Sequence, residues 1–185
     1  MSLLRFDGVA LDRGGRRLFE GLDFALAPGD ALHIAGPNGS GKSSLLRLAA
    51  GLLSASAGRV ERGAVALADD LPALDRELPL RRALAFWVGR PQLDSAMEAF
   101  ALAALGHVPV RLLSAGQLRR AGLARVAASG ANLWLLDEPL NALDGDGAVR
   151  LDSVIAAHRS AGGAVAAASH LPLSGDWQRL ELGQC

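Results

Sequence analysis

Along residues 22–26, Leu22, Phe24 and Leu26 alternate with Asp23 and Ala25, a period of two that predicts a strand with one buried face. Pro28-Gly29-Asp30 follows as a turn, and the apolar run ALHIA at 31–35 suits a short buried strand. A glycine-rich loop comes next, and SSLLRLAAGL then reads as a helix opening at Ser43. GRVERGAVALA, residues 58–68, reads as two short strands around Gly63. From about 72 to 113 the pattern changes, with Pro72, Pro79, Pro91 and Pro109 punctuating short helices rich in alanine and leucine. This predicts a small inserted helical subdomain, extending to about 128 when the next helix is included. That helix, SAGQLRRAGLARVAA at 114–128, has Ser114 as its expected N-cap. NLWLLDE (132–138) is a buried strand, GDGAVRLDSVIAAHRSA a helix and GAVAAASH another buried strand. Strands alternating with helices predict an α/β fold with a mostly parallel sheet. No repeat, low-complexity tract or linker divides it, so residues 1–185 are expected to form a single domain.

Composition narrows the class. A chain of 185 residues can bury a real core. Its formal net charge is zero, so it lacks the basic footprint of a nucleic-acid binder. The lone cysteine, Cys185, excludes an intrachain disulfide and fits a reducing compartment. The amino terminus lacks the pattern of a signal peptide, and no stretch approaches the roughly 20 apolar residues of a membrane span. A soluble cytoplasmic domain without direct membrane insertion is expected.

Candidate chemistry begins at GPNGSGKSS, residues 36–44. Of the 19 basic residues, Lys42 is the only lysine. Gly36, Gly41, Lys42 and Ser43 match G-x-x-x-x-G-K-[ST] between a predicted strand and a predicted helix, the context that motif requires. Glycines let the backbone through Gly36, Pro37, Asn38, Gly39, Ser40 and Gly41 wind so that its N–H groups point inward at phosphates. The helix from Ser43 and Ser44 onward adds its positive end to the same place. Lys42 offers three donors on a flexible stem, where the broad fork of arginine would not fit. Ser43 supplies a hydroxyl for Mg²⁺. The residues point to a nucleoside triphosphate bound with Mg²⁺.

LWLLDEP, 133–139, ends in Asp137-Glu138, which places carboxylates at the carboxyl edge of a buried strand, where open α/β sheets bind ligands. Asp137 can hold Mg²⁺ through water, and Glu138 is then available to orient or deprotonate an attacking water. A second anion site is expected where Ser114 and Gly116 open a helix. Of the other histidines, His33 reads as a packed strand residue, and His107 and His158 as solvent-exposed. Three scattered histidines and one cysteine give no metal-ligand spacing.

The order of these stretches resembles that of ATP-binding-cassette ATPases. After the phosphate loop come LSAGQ (Leu113, Ser114, Ala115, Gly116 and Gln117), LWLLDEP, NALD (141–144) and His170. The resemblance implies a signature motif, a Walker B aspartate (Asp137) with a catalytic glutamate (Glu138), a D-loop ending in Asp144 and a switch histidine (His170). It also implies a P-loop ATPase fold with an N-terminal antiparallel β part and a head-to-tail dimer. In such a dimer Ser114, Gly116 and Gln117 act in trans on the partner's γ-phosphate. Ala115 and Asn141 are small departures from the family's usual residues. Two departures are larger. Where the family stacks an aromatic on adenine, this chain has Arg13, which either stacks through its guanidinium plane or is a solvated turn residue. At the family's Q-loop glutamine stands Asp70, either close to Mg²⁺ or simply exposed.

GPNGSGKSSLLRLAAGLL, RLLSAGQLRRAGLAR, NLWLLDEPLNALD and SHLPL together look like the ATP-binding family of the haem exporter of cytochrome c maturation. This likeness implies permease partners of the CcmB and CcmC type and a peripheral place on the cytoplasmic face of the bacterial inner membrane. ATP hydrolysis would serve release of a haem-loaded periplasmic chaperone. Another bacterial transporter's ATPase shares all the core motifs. A soluble chromosome or repair ATPase would need a long coiled-coil insertion, for which there is no room, and Glu138 with His170 argues against a non-catalytic scaffold. Phe86 and Trp87 stand side by side in the insertion and cannot both face one core stripe of a helix. They either dock a partner or are buried at the junction with the sheet.

Overall fold

Two sheets of opposite character divide the strands of this chain. A computed structural model describes residues 2–69 and 73–183, with the backbone alone at 90 and 91. Strands β1 (Leu4–Arg13), β2 (Arg16–Leu26) and β4 (Ala57–Arg62) form an antiparallel sheet in the order β2-β1-β4. Strands β3 (Ala31–Ala35), β5 (Val65–Ala68), β6 (Leu133–Asp137), β7 (Ala164–Ala168) and β8 (Gln178–Glu181) form a parallel one, ordered β5-β6-β7-β3-β8. The pair of strands expected around Gly63 therefore belongs to two different sheets. The link between β1 and β2 is the two-residue loop Gly14-Gly15, with φ of 60° and 75°. Both values lie in the left-handed region that a tight hairpin of the right twist requires. This turn places Arg13 at the end of β1.

The helices are α1 (Lys42–Ala49), α2 (Leu80–Ala85), α3 (Arg90–Ala99), α4 (Ala115–Ala128) and α5 (Gly145–Ser160). Single 3-10 turns at Ala103–Leu105 and Val110–Leu112 join α3 to α4. Helix α1 starts one residue before the expected Ser43, because Gly41 caps it in the left-handed region at φ 101°. Ser114 caps α4 as expected.

The central strands β6 and β7 of the parallel sheet are buried on both faces, and their period of two sorts side chains between two cores. Leu133, Leu135, Ala166 and Ala168 face α1 and the antiparallel sheet, packing with Phe6, Leu26, Ile34, Leu45 and Leu48. Trp134, Leu136, Val165 and Ala167 face the other helices, against Met97, Phe100, Leu123, Val126, Leu151 and Ile155. His158 corrects the expectation of solvent exposure. Its ring stacks on Trp134 at 3.7 Å between centroids, and burial holds its pKa below the ordinary histidine value. His107 is exposed, as its place beside Pro109 suggested. Among the described residues no helix is long and apolar enough to cross a membrane.

Candidate active site

Strands β6, β7 and β3 lie side by side and end at one level, since Ala168 pairs with Asp137 on one side and Ile34 on the other. Their carboxyl ends deliver Asp137-Glu138, Ser169-His170 and the loop from Gly36 to one edge of the sheet. Ligands of open α/β sheets bind at such an edge. His33, half-buried in β3, joins two of these ends through Nε2, 2.9 Å from the Ser169 carbonyl oxygen.

The loop 36–41 is shaped by its glycines. Gly36 and Gly39 have φ of 141° and 82°, and a Cβ on Gly36 would come within 2.4 Å of the Leu182 carbonyl oxygen. No other residue fits at Gly36. The ammonium of Lys42, a residue 7% exposed, donates to the carbonyls of Gly36 at 2.8 Å and Pro37 at 3.1 Å. Pro37 also accepts from the Ser40 N–H at 3.2 Å, which closes the turn over Asn38 and Gly39. A cleft of about 400 Å³ opens here, lined by Asn38, Gly39, Gly41, Lys42, Ser43 and Ser44 with Arg13, Leu18 and Glu138. Lysine, serine and glutamate thus face one space. Arg13 reaches it from the hairpin end, its Nη1 donating to Ser44 Oγ at 3.3 Å. Arg13 itself is exposed.

Asp137 is buried, at 4% exposure, where β6 ends. Glu138 then adopts φ 46°, a strained choice for a residue with a Cβ. Its N–H is fixed on the Ala168 carbonyl at 2.8 Å, and its Oε2 lies 2.7 Å from His170 Nδ1. An ionised carboxylate can only accept, so Nδ1 carries the hydrogen and Nε2 of a neutral ring is left as an acceptor. The backbone N–H of His170 adds a second donor to the same oxygen at 3.3 Å. Among the described residues no three His, Cys, Asp or Glu side chains cluster as a metal cage. A hydroxyl, a carboxylate and phosphate oxygens suit Mg²⁺, which binds few protein ligands. Ser43 and Asp137 fit that donor set. Asp70 lies outside the described residues.

The start of α4 is a separate place. Ser114 Oγ accepts from the Gln117 N–H at 3.2 Å, and Gln117 Oε1 accepts from the Ser114 N–H at 2.9 Å. This reciprocal cap leaves the Ser114 hydroxyl hydrogen available to an anion. Leu113 packs on the helical core just before the cap, and Ala115 is the first, exposed helical residue. Ser114, Gly116 and Gln117 line a second cleft with Arg120, Ala142, Leu143 and Asp144. Asp144 also caps α5, its Oδ1 accepting from the Gly147 N–H at 2.8 Å. The two clefts share no lining residue. Within one chain, the residues of LSAGQ therefore do not face the phosphate loop.

Gly116 is held to glycine by the turn beside it. A Cβ there would lie 2.8 Å from the carbonyl oxygen of Ala142, itself in the left-handed region at φ 62°. Gly116→Ala is expected to displace that turn and to lower stability by about 1–3 kcal/mol, as overpacking does. Denaturant unfolding checks it, and a wild-type midpoint would show that the contact yields freely.

Sequence reasoning missed Arg119. It is buried in α4 at 8% exposure, and its guanidinium donates to main-chain carbonyls of the Asp137–Pro139 segment.

Known proteins resemble this chain over most of its length. A family model described as ABC transporter matches residues 19–141. The cytochrome c biogenesis ATP-binding export protein CcmA of Sphingopyxis alaskensis is 57% identical over 178 residues, covering 93% of this chain and 92% of that protein. CcmA proteins of Rhodospirillum rubrum (50% identical, covering 85% and 76%) and Pseudomonas putida GB-1 (40%, covering 98% and 97%) are also similar. Among solved structures, an ATP-binding subunit of an ABC transporter superimposes with a TM-score of 0.83 at 19% identity, covering 92% of this chain and 80% of that one. The cbiO1 protein of Clostridium perfringens, part of the ABC transporter complex cbiONQ, gives 0.77 at 21%, covering 92% and 79%. At such identities these structures speak for the fold alone.

Proposed function

Because this chain belongs to the ABC transporter family of ATP-binding proteins, among the CcmA relatives, we propose that it hydrolyses ATP for the haem exporter of cytochrome c biogenesis. The observation that carries the ATPase reading is the single cleft in which Lys42, Ser43 and Glu138 meet. Lys42 and the backbone N–H groups of Gly39, Gly41, Lys42, Ser43 and Ser44 hold the β- and γ-phosphates. Arg13 offers its guanidinium plane to the base. Ser43 and Asp137 hold Mg²⁺, which when bound neutralises charge on the phosphate oxygens. Glu138 accepts a proton from the water that attacks the γ-phosphorus, and the bond to the β-phosphate oxygen breaks to leave ADP and phosphate. His170 keeps the Glu138 carboxylate oriented through its Nδ1–H and turns Nε2 to the reacting groups. Ser114, Gly116 and Gln117 serve the other subunit's γ-phosphate in a head-to-tail dimer, and Asp144 lies at that interface. The disjoint clefts support this arrangement, since the signature residues need a second chain to meet a phosphate loop.

The partners in this reading are permease subunits of the CcmB and CcmC type, with hydrolysis tied to release of the haem-loaded chaperone. They hold the protein on the cytoplasmic face of the inner membrane. Phe86, 82% exposed, and Trp87, 46% exposed, support a docking surface and speak against burial at the junction with the sheet. Trp87 is fixed by its indole N–H on the Ala73 carbonyl at 3.0 Å and by the Arg125 guanidinium 5.1 Å over its ring. Phe86 extends beside this anchored neighbour, an apolar group with little cover of its own. Expressed alone, the chain is expected in the supernatant after centrifugation, and with its permease subunits in the membrane fraction. Phe86→Asp should reduce that recruitment more than it reduces basal ATPase activity. A chain that stays in the supernatant beside the haem-exporter permease would contradict the exporter assignment while leaving the ATPase chemistry intact.

A further inference from the structure

The guanidinium of Arg119 sits beneath the bend that carries Glu138. Its Nη2 donates to the carbonyls of Asp137 and, at 2.7 Å, Glu138, and its Nε to that of Pro139 at 3.4 Å. Its Nη1 donates to the Asp69 carbonyl at 2.9 Å, just beyond the end of β5. Three successive carbonyls converge on one side chain because Glu138 is in the left-handed region, at φ 46°. Inside a fold, carbonyl dipoles turned to one side need donors that face all of them. The rigid planar fork of arginine reaches spaced acceptors together, which the single ammonium of lysine does not.

We propose that Arg119 is a positioning residue for ATP hydrolysis, acting through Glu138. It holds the main chain of Asp137–Pro139 in the bend that presents the Glu138 carboxylate to the phosphate-loop cleft. It touches neither the nucleotide nor the attacking water. Because it sits on the helix capped by Ser114, it also ties the signature, the catalytic strand and the end of β5 into one unit. A shift of the signature against a partner's nucleotide is thereby carried to the Glu138 backbone. The inference rests on the reading of Glu138 as the catalytic base.

The test is Arg119→Lys in the full chain, alone and combined with Glu138→Gln, with steady-state ATP hydrolysis and calorimetric ADP binding as readouts. Lysine keeps a cation and most of the buried volume. Unchanged ADP affinity is expected, with kcat lowered roughly 10- to 10²-fold, as a displacement of about 1 Å at a reacting group implies. In the Glu138→Gln background the same substitution should remove little more, since effects transmitted through one group do not add. Wild-type kcat in Arg119→Lys would overturn the proposal. So would an equal further loss in the Glu138→Gln background, or ADP binding lost together with turnover, which would reduce Arg119 to a support of the fold. Failure of the base assignment itself appears earlier, as normal turnover in Glu138→Gln alone.

Discussion

Lys42→Ala should weaken ATP binding by about 10²-fold or more, the loss that truncating one partner of a buried hydrogen-bonded charge pair brings. The ammonium is shielded from water and already placed inside the loop, on the carbonyls of Gly36 and Pro37. No other lysine exists in the chain to take over. The arginine in the cleft, Arg13, donates to Ser44 Oγ. Alanine leaves the loop backbone and its inward N–H groups in place, so the fold should persist while the phosphates lose their point charge. Calorimetric titration with MgATP measures the effect, and wild-type affinity in this variant would remove the phosphate-loop assignment.

Glu138→Gln should bind ATP normally and hydrolyse it at least about 10²-fold more slowly, the effect of losing a general base. Glutamine preserves shape and keeps an oxygen that can still accept from His170 Nδ1–H, 2.7 Å away in the native pair. It cannot take a proton from water. The strained backbone at φ 46° is unaffected, because the side chains share the same Cβ. A slow chemical step with intact binding should accumulate the ATP-bound state. Normal turnover would shift the base to His170, the next group within reach.

The phosphate loop was legible because its backbone leaves no alternative to its residue types. Gly36 meets the Leu182 carbonyl and Gly41 must adopt φ 101°, so both requirements surface as glycines at fixed spacing. Asp137-Glu138 was legible because a strand buried on both faces reads as an apolar run, and the first acids after it mark its exit from the core. Ser114 declared itself as an N-cap for equally local reasons. What was hidden depends on contacts distant in sequence. Strand β8, QRLE, is exposed at three of its four positions and shows no alternation. The assignment of β4 and β5 to separate sheets follows from pairing with β1 and β6, which short strands do not encode. His158 sits on a helix whose polar pattern suggests solvent, yet Trp134 from a neighbouring strand covers it. Arg119 looked like one more helical arginine. Its acceptors converge only because Glu138 bends the chain, and no residue pattern announces that bend.

Two disjoint clefts in one chain carry the central claim, that ATP is hydrolysed between two copies arranged head to tail. Light scattering of the Glu138→Gln chain with and without saturating MgATP tests it most directly, with Ser114→Arg added to the same background as the second arm. The account predicts the mass of one chain without nucleotide and of two chains with MgATP, and a single chain again when Ser114→Arg blocks the signature. A Glu138→Gln chain that binds MgATP yet stays at the mass of one chain, or a dimer that survives Ser114→Arg unchanged, would contradict it.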